Sequence, residues 1–212
     1  MQALLFEMTP RAGHEDHYFR HAAHLRPILM RHDGLIFIER FKSLARPHVI
    51  LSHSLWRDEA AITRWRTDQD HRKSQMAGRY KHFEDYRIRI ARVLSYHDAT
   101  PVQGALPGHE ASAEGGGSDD RLVTIVRSAA QRSAPEGEVF ESVTQSGSFL
   151  TIGMPVRLDE ARSRTARIIG EDMVISALLG RVSRDYGMYD REEAPQNLKP
   201  VEPPASGSDH CT

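Results

Sequence analysis

The sequence predicts an α+β fold made of two ferredoxin-like modules, each of β-α-β-β-α-β order. Three observations predict it: an opening half in which strand and helix periods alternate, a Gly/Ala/Pro/Ser-rich stretch after it, and reduced copies of the same signals beyond that stretch. At 212 residues the chain could form one large domain or two small ones, since domains run to roughly 100–150 residues. Residues 98–120 (DATPVQGALPGHEASAEGGGSDD) follow no helical or strand period and have a linker's composition. The predicted organisation is a first module over 1–97, a flexible linker over 98–120, a degenerate second module over 121–197 and a disordered tail over 198–212.

In the first half, the apolar run Ala3 to Met8 ends at Thr9-Pro10-Arg11-Ala12-Gly13, a strand and a turn. Residues 14–32 then place Tyr18, Ala22, Leu25 and Leu29 at helical spacing, with Pro27 expected to kink the helix. Asp33-Gly34 ends it, and the β-branched and aromatic run Leu35 to Phe41 reads as a strand. The chain turns over Ser43 to Pro47, and His48 to Trp56 returns with Val49, Leu51, His53 and Leu55 on one face. Asp58 can N-cap a second helix bearing Ile62 and Trp65 on one side. Thr67 to Asp70 interrupts that helix, Met76, Tyr80 and Phe83 resume its stripe to about Tyr86, and Arg87 to Tyr96 alternates as a closing strand.

The second half repeats this order in shortened form. Arg121 to Ser128 reads as a strand, Glu138 to Val143 and Phe149 to Val156 as a hairpin around Gly147, Asp159 to Ile169 as a helix, and Met173 to Tyr189 as a long irregular strand. Glu39-Arg40-Phe41 aligns with Glu141-Ser142-Val143, and Arg57-Asp58-Glu59-Ala60 with Arg157-Leu158-Asp159-Glu160-Ala161. The pattern is that of an internal duplication whose second copy lacks most of the first helix.

Composition excludes several function classes. No apolar run approaches the ~18 residues needed to cross a bilayer, and the N-terminus has neither a basic region nor an unbroken apolar core for a signal peptide. A cytoplasmic protein is predicted. The one cysteine, Cys211, offers no disulfide or thiolate cluster. Formal charge is −1 with acids and bases interspersed, so neither nucleic acid nor membrane is an expected partner.

Several segments occur in an order that resembles the antibiotic biosynthesis monooxygenase family. They are Gly13-His14-Glu15, Asp33-Gly34-Leu35, Trp56-Arg57-Asp58-Glu59-Ala60, and Trp65 followed by His71-Arg72. The likeness covers residues 2–96 well and 121–196 loosely, where Arg184 to Asp190 is similar to closing segments of related proteins. It implies modules paired sheet to sheet in a dimeric α+β barrel, either as a homodimer or as an intrachain pseudo-dimer. It also implies oxidation of an aromatic or polycyclic small molecule by O2 with no cofactor and no metal. Haem binding or degradation is the alternative activity, and a non-catalytic ligand-binding or assembly module is the alternative class.

Cofactor-free oxidation needs a base to deprotonate the substrate, a donor to stabilise an oxygen anion, and an aromatic wall. The residues predicted for these tasks are Trp65 as wall and donor, His71 as base, Arg72 or Tyr80 as anion stabiliser, and His53 entering from the sheet. The sequence departs from the family at an asparagine beside the tryptophan: its sole asparagine is Asn197, so an amide role falls to a glutamine.

Each feature also has a plainer reading. Trp65 on an apolar face could serve as core, and His71 could be a surface residue beside a helix cap. Ten of the twelve histidines lie between His14 and His97. His14, His17, His21 and His24 share one side of the first helix, where pairs at i, i+4 can hold a metal, yet solvated residues at an interface edge are the expectation. Arg79, Arg87, Arg89 and Arg92 are expected in surface ion pairs with acids such as Glu84 and Asp85.

Overall fold

The computed structural model describes residues 1–99, 109–110, 121–132 and 137–202. Most of the predicted linker and the tail beyond residue 202 lie outside the described residues. The first half comprises β1 (Gln2–Pro10), α1 (Glu15–Leu29), β2 (Leu35–Ser43), β3 (Ile50–Trp56), α2 (Glu59–Thr67), α3 (Gln69–Ala77) and β4 (Phe83–Asp98). After a two-residue strand β5 (His109–Glu110) come β6 (Leu122–Ser128), β7 (Gly137–Ser142), β8 (Phe149–Gly153), α4 (Leu158–Ile169) and β9 (Val174–Gly187). No helix of the described residues is long and apolar enough to cross a membrane.

All strand pairs are antiparallel, and their order is β1-β3-β2-β7-β8-β6-β9-β4, with β4 returning to pair with β1. The sheet therefore closes on itself as a barrel. Each half supplies four strands in equivalent order, β2-β3-β1-β4 and β7-β8-β6-β9, which is the ferredoxin-like arrangement. Two seams join them. One is long, Arg87↔Gly187 through Asp98↔Ser176, and the other short, Phe41↔Ser142 through Ser43↔Phe140. Both pairings lie within one chain, so a single chain forms the barrel, as in the intrachain alternative that the family resemblance implied.

The barrel interior is a shared apolar core. Ala3, Leu5, Phe41, Leu51 and Val93 from the first half meet Val123, Phe140, Leu150 and Leu178 from the second, all fully buried or nearly so. At roughly 25 cal/mol per Å² of apolar area, this burial is the main term favouring the joined halves. The short seam adds polar links. Glu39 accepts from Ser142 Oγ at 2.5 Å and from Arg127 Nη2 at 3.2 Å, and the Arg127 guanidinium lies 4.4 Å from the Phe37 ring centroid. Glu138 accepts from Ser43 Oγ and from Arg46.

Helices cover the outer faces. Under α4, Leu94, Leu122, Ala161 and Leu179 pack directly together. In the first half α2 settles closely on the turn before β2, because Gly34, at φ +96°, carries no Cβ; one there would stand 2.6 Å from the Ala61 Cβ. The second helical stretch departs from the sequence prediction of a stripe continuing to Tyr86. A π-helical turn over Gly78–His82 ends the helix, β4 starts at Phe83, and Met76 is 44% exposed. Phe83 lies against the bare face of Gly78, where a Cβ would approach its ring to 2.5 Å.

Two predictions follow from the buried polar groups of the barrel. Glu39→Ala leaves Arg127 without its carboxylate partner among buried residues, and unfolding in urea should show a loss of about 3–5 kcal/mol; a loss under ~1 kcal/mol would show that the short seam does not need the pair. His53 is 2% exposed, and burial, then the Arg127 charge, push its pKa from 6.5 down to about 3. Folding therefore favours the neutral ring, a contribution complete above pH 6.5 and lost as pH falls towards 3. Relative to His53→Gln, the wild-type chain should lose roughly 1.4 kcal/mol per pH unit through that window; parallel pH–stability curves would contradict this.

Candidate active site

A cavity of about 200 Å³ lies between the outer face of the first half's sheet and its helices. Strand alternation sends Leu4, Phe6, Ile38, Ile88 and Ile90 into it, and Leu25, Leu29, Ile62 and Trp65 close its helical side. The second half adds a roof. Tyr186 near the end of β9 lines it, and after β9 the chain crosses back over the cavity, so that Arg191, Gln196 and Leu198 also line it. This strap is held where the Lys199 carbonyl accepts from Arg79 Nη2 and the Tyr80 hydroxyl, each at 3.2 Å.

The aromatic wall is built by local capping. Asp58 accepts from the Ala61 N–H at 2.7 Å and starts α2, which places Ile62 and Trp65 inward. Asp68 ends α2 and caps α3, accepting from the N–H groups of Asp70 and His71 at 3.0 Å. That corner folds His71 back onto Trp65, with ring centroids 4.0 Å apart and planes 13° from parallel. His32 meets the indole edge-on at 5.0 Å and reaches Asp68 at 3.5 Å.

His71 Nδ1 lies 2.8 Å from the Trp65 carbonyl oxygen. A carbonyl only accepts, so Nδ1 is assigned the proton and Nε2 remains the acceptor. Burial pushes the His71 pKa down to about 4, against the opposing pulls of the Trp65 carbonyl and Asp68. The ring is neutral at pH 7, with a fixed tautomer and one free lone pair.

A polar group sits deeper on the sheet. Arg40 Nε donates to the Tyr18 hydroxyl at 3.2 Å, and burial raises the Tyr18 pKa while Arg40 and Ser52 oppose the rise. Arg79, 1% exposed, donates to the Tyr86 hydroxyl and the Met188 carbonyl, both at 2.8 Å. The surface ion-pair role expected of Arg79 is therefore incorrect. Arg89 is likewise buried, paired to Glu7, whereas Arg87 pairs on the surface with Asp185.

Of the residues expected to act, Trp65 and His71 meet at the cavity, and the other three do not line it. His53 points into the barrel beside Phe37, because alternation turns Ser52 and Ser54 to the cavity side. Arg72 is exposed, and Tyr80 holds the strap instead. The π-helical turn rotates the chain so that Arg79, not its neighbour, enters the cavity. Gln75 and Gln196 are glutamines that line it, while Asn197 does not.

His14, His17 and His21 gather with His82, whereas His24 is exposed as expected. His14 and His82 share a 2.9 Å Nδ1 to Nδ1 contact, and the His17 ring lies 3.8 Å from His82 and 4.4 Å from His21. Burial first, then neighbouring histidines, lower the pKa of both His17 and His82. Among the described residues no group of three or more His, Cys, Asp or Glu is arranged to hold a metal. A second, wider cleft of about 580 Å³ includes Glu7, Arg46, Arg89 and Glu138, whose charges already neutralise one another.

The sequence model of the antibiotic biosynthesis monooxygenase family matches residues 1–77. Jasmonate monooxygenase ABM of Pyricularia oryzae strain 70-15 is 34% identical over 225 aligned positions, covering 95% of this chain and 100% of the relative. Among solved structures, an anthrone oxidase-like protein is 11% identical over 92% of this chain and 96% of its own, with a TM-score of 0.38. A Lactobacillus acidophilus protein is 10% identical over 86% and 93%, with a TM-score of 0.43. Likenesses this distant do not bear on substrate. The relative matched over its full length, together with the family match over residues 1–77, establishes that this chain belongs to the antibiotic biosynthesis monooxygenase family.

Proposed function

We propose that the chain is a monooxygenase that binds one small, largely apolar molecule against Trp65 and oxidises it with O2, without a resident metal or flavin. The observation that carries this reading is the Trp65–His71 stack, which presents an aromatic wall and a neutral base of fixed tautomer to a mainly apolar cavity. The relative's jasmonate supplies one candidate substrate. A hydroxy-aromatic is the second candidate, favoured by the rings of Phe6, Trp65 and Phe83 around the space.

The chemistry asked of the side chains is limited. His71 Nε2 accepts the proton released as the substrate becomes electron-rich, and the low basicity of its buried ring limits this to an already acidified proton. Tyr18 and Arg40 offer donors for an oxygen anion, and the strap excludes water from it. With a hydroxy-aromatic whose ring CH2 becomes C=O, the substrate supplies all the electrons. One oxygen atom of O2 enters the product and the other leaves as water with the two hydrogens. Hydroxylation of a jasmonate C–H bond instead requires two more electrons from an added reductant. Haem ligation is the less favoured reading, because the His71 ring is stacked flat on Trp65 and its Nδ1 is committed to the Trp65 carbonyl.

The test measures O2 consumption and incorporation of labelled oxygen with anthrone alone, and with jasmonate plus reduced nicotinamide or flavin. Trp65→Phe should lower turnover by about tenfold or more, the loss of ~1.4 kcal/mol of transition-state stabilisation. Unchanged turnover would remove Trp65 from the mechanism. Label absent from the product with both substrates would favour a binding module.

A further inference from the structure

The charge of the cavity does not match its mainly apolar walls. Four arginines line it, Arg40, Arg66, Arg79 and Arg191, and among its described lining residues there is no aspartate or glutamate. Three have acceptors within the fold. Arg40 donates to Tyr18, and Arg79 to Tyr86 and Met188, while Arg191 donates to the Tyr86 hydroxyl at 3.0 Å and to the carbonyls of Gly187 and Gln196.

Arg66 differs. Nε is buried without an acceptor in Arg66, Arg79 and Arg191 alike, but in Arg66 the buried Nη1 has none either. A place in the last turn of α2 suits a cation through the helix dipole, but the dipole supplies no acceptor for these N–H groups. A guanidinium does not lose its proton within any working pH range. Leaving its donors desolvated and unmatched costs more than leaving them in water. The missing acceptor is therefore expected to arrive with the ligand.

The surroundings narrow the ligand's chemistry. Tyr186, 7% exposed, stands between the roof and α2 with the Arg191 guanidinium 5.5 Å from its ring centroid. Burial raises its pKa, with Arg184, Arg66 and Arg191 acting in opposition, so its hydroxyl is a neutral donor near neutral pH. Arg66 and Tyr186 line the same cavity, and a planar fork of N–H donors together with a phenol hydroxyl can match the two oxygens of a carboxylate. Apolar walls leave room for an uncharged, compact body.

We propose that Arg66 is the anion-binding residue of this cavity and that its ligand is a compact apolar carboxylate, held head-first between Arg66 and Tyr186 with its body against Trp65 and the sheet. The assignment rests on the reading of this cavity as the substrate site. It adds the residue that selects for charge, and it orients the ligand, placing the reacting carbon away from the carboxylate end.

The test titrates the full chain with two acid and ester pairs, jasmonate with methyl jasmonate and 2-naphthoate with methyl 2-naphthoate, by calorimetry. The wild-type chain should bind the acid about tenfold or more tightly than its ester. Arg66→Gln should erase that preference, and Arg66→Lys should keep part of it. Arg64→Gln, on the exposed side of α2 where Arg64 donates to the Asp33 carbonyl, controls for a general loss of positive charge. Melting curves of each variant identify any that fail to fold, and the Arg66→Lys comparison then decides. Equal binding of acid and ester by the wild-type chain, or a preference surviving in Arg66→Gln, overturns the proposal while leaving the oxidation reading to its own assay. Preference for naphthoate with no binding of jasmonate supports Arg66 and removes jasmonate as substrate; no binding of either pair overturns both.

Discussion

Backbone pairing across the two seams is the constraint on which the rest of the structure depends. Taken alone, each four-stranded half would end in unpaired edges at β2 and β4, or at β7 and β9. Rows of unsatisfied N–H and C=O groups invite association with other chains, and closure of the sheet removes them. Joining the edges also stacks two apolar inner faces into one core, which neither half could bury by itself. The buried links at Glu39, Arg127 and Ser142 then set which residues meet at the shorter seam.

The two halves share a strand order but not a covering. The first retains α1 and a divided second helix, and these stand over the sheet with space beneath. Among the described residues the second shows no equivalent of α1, and α4 lies directly on Leu94, Leu122 and Leu179. Its contribution lies elsewhere: the end of β9 and the chain following it cover the other half's cavity with Tyr186, Arg191 and Leu198. One cavity is thus assembled from both halves, the second supplying cover and charge.

The strand order, the missing helix and the Trp65–His71 pairing were legible because each rests on local signals: alternation, a Gly-containing turn, and caps at Asp58 and Asp68. Sequence also placed His53 correctly on the opposite face from Ser52 and Ser54, although assigning it to the site required the wrong face to be the reactive one. What could not be read were contacts set by long-range return of the chain. Arg79 sits among charged neighbours in sequence and is surface-like by that measure, yet its acceptors are the Tyr86 hydroxyl and carbonyls more than a hundred positions away. The π-helical turn, which leaves no mark in apolar periodicity, put Arg79 rather than Tyr80 at the cavity. Arg66 and Arg191 converge only once the roof is in place.

The strap over the cavity has a consequence for the order of synthesis. Residues that form the floor and helical wall are made first, and a ferredoxin-like half can begin to fold as it leaves the ribosome. Residues Tyr186 to Leu198 emerge only after the whole second half. Until then the nascent first half exposes an apolar trough flanked by the arginine side chains of its own strands and helices, together with the open edges of β2 and β4. The interval before barrel closure is thus when this protein is most vulnerable to sticking to other chains, and the time needed to translate the second half sets its length.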